Sequence, residues 1–253
     1  MVDSPRVSFL LIGAQKSGTT ALDAHLKQNP YLCLPKRRKE LHFFDTDDHF
    51  IGGEPNYEIY EANFMHALYG QLLGETTPSY MFWYSAPQRI WAYNPAMKLL
   101  MVLRNPVTRA YSHWNMKRAQ GREQRSFGEA IRGEYDMCRG LLPYQCLEFS
   151  YLSRGFYCEQ IRRVLSCFPK EQLLILRSEE LESDTDAVME KVWDFLKIEK
   201  YPIRMLSRKD MHKGHYEKDM SSADKDYLVY MYEYEILQLE RMLGWDCSNW
   251  LGS

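Results

Sequence analysis

The chain has no Cys-x-x-Cys pair, no internal repeat, no low-complexity linker and almost no excess of charge of either sign. Nor does any apolar run approach the ~18 residues that cross a bilayer. Each absence excludes something. The six cysteines (Cys33, Cys138, Cys146, Cys158, Cys167 and Cys247) are scattered through 253 residues, which argues against a disulfide framework and against a zinc site. They read as the reduced thiols of a cytoplasmic protein. The opening MVDSPRVSFLLIG holds no long apolar segment, so neither a signal peptide nor a membrane span is expected. With 32 Lys and Arg against 34 Asp and Glu, the net charge of −2 gives no footing for a nucleic-acid partner, which calls for a basic surplus. Without a linker, residues 1–253 are expected to form a single domain, long enough to bury a core without staples.

What is present is an alternation. Short apolar runs at Val7–Ile12, Gln71–Leu73, Lys98–Leu103 and Gln172–Leu176 suit buried parallel strands. Helical patterns occupy Thr19–Gln28, Val107–Ala119, Tyr151–Cys167, Asp184–Leu196 and Ser222–Leu243. Ser183-x-x-Asp186 suits a capping box for the fourth. In the fifth, Tyr227, Tyr230, Met231, Tyr234 and Leu237 recur at helical spacing and predict its core-facing side. Gly121–Gly140, rich in Arg, Glu and Gly, reads as a surface insertion. The pattern predicts an α/β fold: a central parallel sheet flanked by helices.

Chemistry first shows in VSFLLIGAQKSGTTALDAHL, Val7 to Leu26. The nucleotide-binding pattern G-x-x-x-x-G-K-[ST] keeps its glycine spacing in Gly13 and Gly18. Its lysine, however, has moved to Lys16, and Thr19 holds the usual lysine position. A strand ending at Ile12, a turn at Gly13 and a helix opening near Thr19 would aim backbone N–H groups into one concavity, with the helix dipole adding positive charge. Gly18 permits close approach of an anion, Thr19 and Thr20 offer hydroxyls, and Lys16 brings a full charge. A magnesium-dependent phosphoryl-transfer enzyme would also need a metal-binding Asp after a neighbouring strand. Here KLLMVL runs into Arg104-Asn105-Pro106, which suits a second anionic group and disfavours a kinase; no metal site is expected.

These residues resemble the sulfotransferases that use 3′-phosphoadenosine 5′-phosphosulfate (PAPS), most closely the branch of the heparan sulfate N- and 3-O-sulfotransferases and their bacterial relatives. The resemblance covers nearly the whole chain. Gly13-Ala-Gln-Lys-Ser-Gly-Thr-Thr20 looks like the family's 5′-phosphosulfate loop. Arg104-Asn-Pro-Val-Thr-Arg-Ala-Tyr-Ser112 looks like its 3′-phosphate motif, and Lys39-Glu-Leu-His-Phe-Phe-Asp45 like the segment with the catalytic glutamate. Gly74-Glu-Thr-Thr-Pro-Ser-Tyr80, Arg154-Gly-Phe-Tyr157 and the late His212-Lys213-Gly214 loop are also similar to family stretches. Two departures stand out. A lysine that can precede Thr-Pro-x-Tyr in glycan-modifying relatives is Thr76 here, and the cysteine pair of secreted relatives is missing from Tyr201–Met211.

The resemblance implies a P-loop-like sulfotransferase fold and a metal-independent PAPS-dependent enzyme. Gln15, Lys16, Ser17, Gly18, Thr19 and Thr20 would hold the 5′ side of the nucleotide, with Lys16 also catalytic. Arg104 and Ser112 would hold the 3′-phosphate, with Tyr157, His212, Lys213 and Gly214 beside the nucleotide. Glu40 is the candidate general base and His42 its rival; extended backbone would put both on one side. The basic neighbours Lys36, Arg37, Arg38 and Lys39 would hold the Glu40 pKa down if they lie close. The expected acceptor is a hydroxyl, less readily an amine, of a small molecule or sugar. The charge balance and the mixed charges of Gly121–Gly140 weigh against a dense polyanion. Alternatives are a heparan-type polysaccharide acceptor, or a nucleotide-sensing module of the same fold without chemistry.

Overall fold

Five strands, all parallel, make one sheet in the order β2-β3-β1-β4-β5: β1 (Phe9–Gly13), β2 (Leu32–Cys33), β3 (Leu72–Thr76), β4 (Lys98–Leu103) and β5 (Leu173–Arg177). The computed structural model describes residues 6–142, 145–204, 206 and 219–252. Central β1 is buried along its whole length, as a strand covered on both faces must be. Phe9 stands opposite Gly74 on one side and Lys98 on the other. A Cβ at Gly74 would come within 2.2 Å of the Phe9 ring, so only glycine lets that ring lie across β3.

The helices are α1 (Thr19–Leu26), α2 (Tyr57–Glu61), α3 (Ala86–Tyr93), α4 (Pro106–Ala119), α5 (Phe127–Arg132), α6 (Glu134–Arg139), α7 (Tyr157–Leu165), α8 (Ser178–Ser183), α9 (Thr185–Leu196) and α10 (Ser222–Leu243). The chain forms two compact units, Met1–Leu103 with Val164–His212, and Arg104–Arg163 with Lys213–Ser253. The whole sheet belongs to the first. On one face of it Phe9, Leu11, Leu100, Val102 and Leu176 pack with Leu22 and Leu26 of α1 and with Val188, Val192, Trp193 and Leu196 of α9. Truncating one of these leucines to alanine costs about 2–5 kcal/mol. The opposite face carries Glu75 and a cluster of rings, Phe43, Phe44, Tyr60, Tyr80 and Tyr93, stacked, edge to face or tilted on one another. In the second unit Tyr232 of α10 is fully buried and donates to the Leu152 carbonyl at 2.8 Å.

The predicted strands and four of the five predicted helices stand within a few residues of their expected limits. Tyr151–Cys167 is shortened: a single 3-10 turn, Ser153–Gly155, precedes α7. Two further expectations are corrected. The cap of α9 is Asp184, whose side chain accepts from the Ala187 N–H, because Ser183 is used to close α8. The buried stripe of α10 is Leu228, Tyr232, Ile236 and Leu239, while Tyr230 and Tyr234 are exposed. The surface stretch Gly121–Gly140 has ordered structure of its own. It folds into α5, opened by a Ser126–Glu129 capping box, and α6, and buries Phe127, Ile131, Glu123 and Glu134.

Candidate active site

In the first unit, the predicted residues gather where the carboxyl ends of β1 and β3 lie side by side, the edge at which open parallel sheets take ligands. β1 runs into the loop Ala14–Gly18 and then α1. Gly13 is required there for space rather than for a turn: a Cβ would meet the Met81 sulfur at 2.0 Å. Gly18 is required for its backbone, with φ 97° as the N-cap of α1. It offers no capping side chain, so the first-turn N–H groups of α1 have no side-chain acceptor at the cap. Lys16 also takes a left-handed conformation, φ 69°, a strained choice for a side-chain-bearing residue. The fully buried Ser17 hydroxyl has no hydrogen-bond partner. An orphan hydroxyl beside an uncapped helix start fits a phosphate, which accepts from both. Gln15 Oε1 is likewise buried without a partner, but as an acceptor it answers to a donor and not to phosphate oxygens.

The segment Lys36–Asp45 crosses beside this loop without forming a strand. Lys39 Nζ donates to Thr20 Oγ1 at 2.9 Å and pairs with Glu40 Oε1 at 2.9 Å. Glu40 Oε2 lies 3.4 Å from His42 Nε2, and His42 Nδ1 lies 3.0 Å from Asp45 Oδ2. Ser79 donates its hydroxyl to the same Asp45 oxygen. A continuous polar chain thus runs from the anion loop through Lys39, Glu40, His42 and Asp45 to Ser79. Glu40 and His42 do meet, but not by strand alternation: His42 turns back at φ 55° to reach both carboxylates.

These contacts set the charges. Burial alone would raise the Glu40 carboxyl, but the His42 hydrogen bond and the Lys39 charge overcome it and hold it at about 2. The hydrogen bond to Asp45, then that to Glu40, outweighs burial and pushes His42 up to about 10. At neutral pH Glu40 is therefore a carboxylate and His42 an imidazolium, which has no lone pair with which to take a proton. Of the basic run, Lys36, Arg37 and Arg38 are exposed, and the cation in contact with Glu40 is Lys39. Thr76, in the position where a relative can carry lysine, is fully buried.

The second unit holds Arg104, Ser112 and Tyr157. Arg104 directly follows β4, and its Nε donates to Thr108 Oγ1 at 3.0 Å. Asn105 caps α4 and Pro106 fills its first turn, so the sequence Arg-Asn-Pro places the arginine just ahead of a helix start. Ser112 is buried on the same helix. Tyr157 is fully buried and gives its hydroxyl proton to the Arg104 carbonyl at 2.9 Å, so it anchors the Arg104 backbone. His212, Lys213 and Gly214 lie outside the described residues. Sequence reasoning left Asp45, Ser79, Thr77 and Glu75 without roles although they sit inside the quoted stretches. The available signal was the carboxylate three residues after His42. Among the described residues, no three His, Cys, Asp or Glu side chains converge as a metal ion would need, and no helix is long and apolar enough to cross a membrane.

This geometry can be set beside known proteins. The chain is 32% identical over 191 residues to human heparan sulfate glucosamine 3-O-sulfotransferase 6, covering 76% of this chain and 52% of that one. It is 30% identical over 214 residues to human bifunctional heparan sulfate N-deacetylase/N-sulfotransferase 3, covering 81% of this chain and 24% of that protein. The chain thus spans about half the length of the 3-O-sulfotransferase relatives it matches. Among solved structures, a sulfotransferase from Alicyclobacillus acidocaldarius superposes with a TM-score of 0.83 at 26% identity, over 97% of this chain and 98% of that one. The sequence model of the sulfotransferase domain matches residues 7–227, and on that match the chain belongs to the sulfotransferase family.

Proposed function

We propose that residues 1–253 act as one catalytic domain that moves a sulfuryl group from PAPS to a hydroxyl, with Glu40 as general base. The observation that carries this reading is the hydrogen-bonded chain Thr20–Lys39–Glu40–His42–Asp45, which ties the anion loop to an ionised carboxylate. When bound, PAPS supplies a sulfuryl group already linked to a phosphate leaving group. Ser17, Gly18, Thr19 and Thr20 hold that phosphate, and Lys16 offsets the negative charge that collects on the bridging oxygen as its bond to sulfur breaks. Glu40 takes the acceptor's hydroxyl proton as the new oxygen–sulfur bond forms. His42, already cationic, holds Glu40 in place and does not compete for the proton. Arg104 and Ser112 take the 3′-phosphate, with Tyr157 fixing the Arg104 backbone. A module that only sensed the nucleotide would have no use for a carboxylate held ionised beside the loop.

The acceptor is a sugar or a small molecule. Heparan-type chains are the second reading, favoured by the names of the curated relatives. The mixed charges of Gly121–Gly140 no longer weigh against it, since Glu123 and Glu134 are buried and engaged inside the second unit. The free thiols agree with a cytoplasmic setting.

Calorimetry with 3′-phosphoadenosine 5′-phosphate and with ADP tests the donor. The former is expected to bind well and the latter poorly, and Arg104→Ala should weaken the former by roughly 1.5–3 kcal/mol, the range for a charge-assisted hydrogen bond. Equal affinity with and without the 3′-phosphate sinks the reading. Turnover of labelled PAPS against desulfated heparan-type oligosaccharides and a panel of hydroxylated small molecules separates the two acceptor classes.

A further inference from the structure

Beneath the Lys39–Asp45 segment lies a carboxyl that the proposed reaction does not use. Glu75, on β3, is fully buried. The Thr77 hydroxyl lies 3.4 Å from Glu75 Oε2, and its oxygen accepts from the Leu41 N–H at 3.1 Å and the His42 N–H at 3.5 Å. The Tyr80 hydroxyl oxygen accepts from the Phe43 N–H at 3.0 Å, and its side-chain partner is again Glu75. A hydroxyl has one proton to give. Thr77 spends it on Glu75 and so turns lone pairs toward the N–H groups of Leu41 and His42, while Tyr80, held beside the same carboxyl, turns one toward the N–H of Phe43. Those N–H groups belong to the turn in which His42 adopts φ 55° and meets Glu40.

We infer that Glu75 is a positioning residue for the proposed base: as the shared acceptor of Thr77 and Tyr80 it fixes the direction of both hydroxyls, and through them the Leu41–Phe43 backbone from which Glu40 and His42 meet. The inference rests on the proposed reaction for its kinetic consequence, but the backbone arrangement stands without it. Burial, with the nearby Asp45 charge adding to it, pushes the Glu75 carboxyl up to about 8, against the opposing hydrogen bonds from Tyr80 and the Leu41 N–H and the His42 charge. At neutral pH it is therefore a neutral acid. Oε2 is the oxygen that faces the Thr77 hydroxyl. Tyr60, also fully buried, lies beside this carboxyl. Glutamine can replace a neutral acid of this kind, since it keeps one accepting oxygen; leucine cannot.

The test compares Glu75→Gln, Glu75→Leu and Thr77→Val by two readouts: steady-state kinetics, and NMR titration of the His42 imidazole without substrate. Glu75→Leu should lower kcat by roughly 10–100-fold, the scale for a displaced reacting group, with the KM for PAPS changed less than about 2-fold. Its His42 titration should fall by about a unit or more toward the ordinary value. Glu75→Gln should stay within about 3-fold of the parent at pH 7 and should lose the parent's inflection near pH 8. Thr77→Val should move both readouts in the direction of Glu75→Leu. A folded Glu75→Leu with parental kcat and parental His42 titration overturns the inference, as does Glu75→Gln as damaged as Glu75→Leu. If Glu75→Leu does not fold, an unmoved His42 titration in Thr77→Val overturns it. Failure of the proposed reaction is read separately, from an unimpaired Glu40→Gln.

Discussion

Two glutamates on neighbouring segments of one sheet edge have been driven in opposite directions. Glu40 on the Lys39–Asp45 segment is held at about 2, while Glu75 at the end of β3 is raised to about 8. Burial pushes both up. The difference is company: Glu40 has a cation on each side, Lys39 and His42, whereas Glu75 has hydroxyls and the repelling charge of Asp45. The lesson is a division of labour by charge. The segment facing the anion loop carries ionised groups that act on substrate in the proposed reaction, and the strand beneath it carries a neutral acid that serves the backbone.

The contrast breaks most directly with Glu40→Gln, which should reduce kcat by about 10²–10⁴-fold while leaving the affinity for 3′-phosphoadenosine 5′-phosphate nearly intact. If Glu75→Gln proves equally damaging, the two carboxyls do not divide the labour. Next in size is His42→Gln, expected to cost roughly 10-fold in kcat, since it removes the partner that orients Glu40 and leaves the base itself in place. The pH–rate profile sharpens the same point. With Glu40 ionised above about 2, kcat should be flat from pH 5 to pH 7; a rate that climbs through pH 10 would give the base role to His42.

The smallest effect is on stability, and its signs differ by residue. Glu40, lowered from 4.5 to about 2, adds stability that is fully present above pH 4.5 and lost as pH falls toward 2. His42, raised from 6.5 to about 10, adds stability that is present below pH 6.5 and lost as pH rises toward 10. Glu75, raised from 4.5 to about 8, makes the folded state lose stability as pH rises between those values. Denaturant unfolding across pH 3–10 should show Glu75→Gln flattening the slope between pH 4.5 and 8, and His42→Gln flattening it between 6.5 and 10.

Much of the frame was legible because its signals are local. Apolar runs gave the strands, and the glycine spacing gave the loop, since both depend on neighbours in sequence. The Lys39-Glu-Leu-His segment was legible as chemistry but not as geometry. Its turn is held by Thr77 and Tyr80, more than thirty residues away, and no local preference predicts a left-handed histidine. The α10 face was misread because tyrosine counts as apolar in a periodicity while its hydroxyl is content in water; the exposed Tyr230 and Tyr234 masked the narrower stripe of Leu228, Ile236 and Leu239. The Asp184 cap was missed for a simpler reason: two capping residues adjoin, and only the fold of α8 decides between them. The helix α3 hid behind Pro87, Gln88 and Arg89, although a proline in its first turn was a legitimate start signal.

Glu40 keeps about a third of its side chain, 35%, open to solvent. A carboxyl that binds a proton so weakly also surrenders it readily, and this one has water at hand to receive it. In the proposed cycle the base therefore resets by direct loss of its proton to solvent, with no relay of side chains needed to carry the proton away. Such a cycle places its slow step elsewhere, in sulfur transfer or in the departure of products, and ties turnover only loosely to the buffer around it.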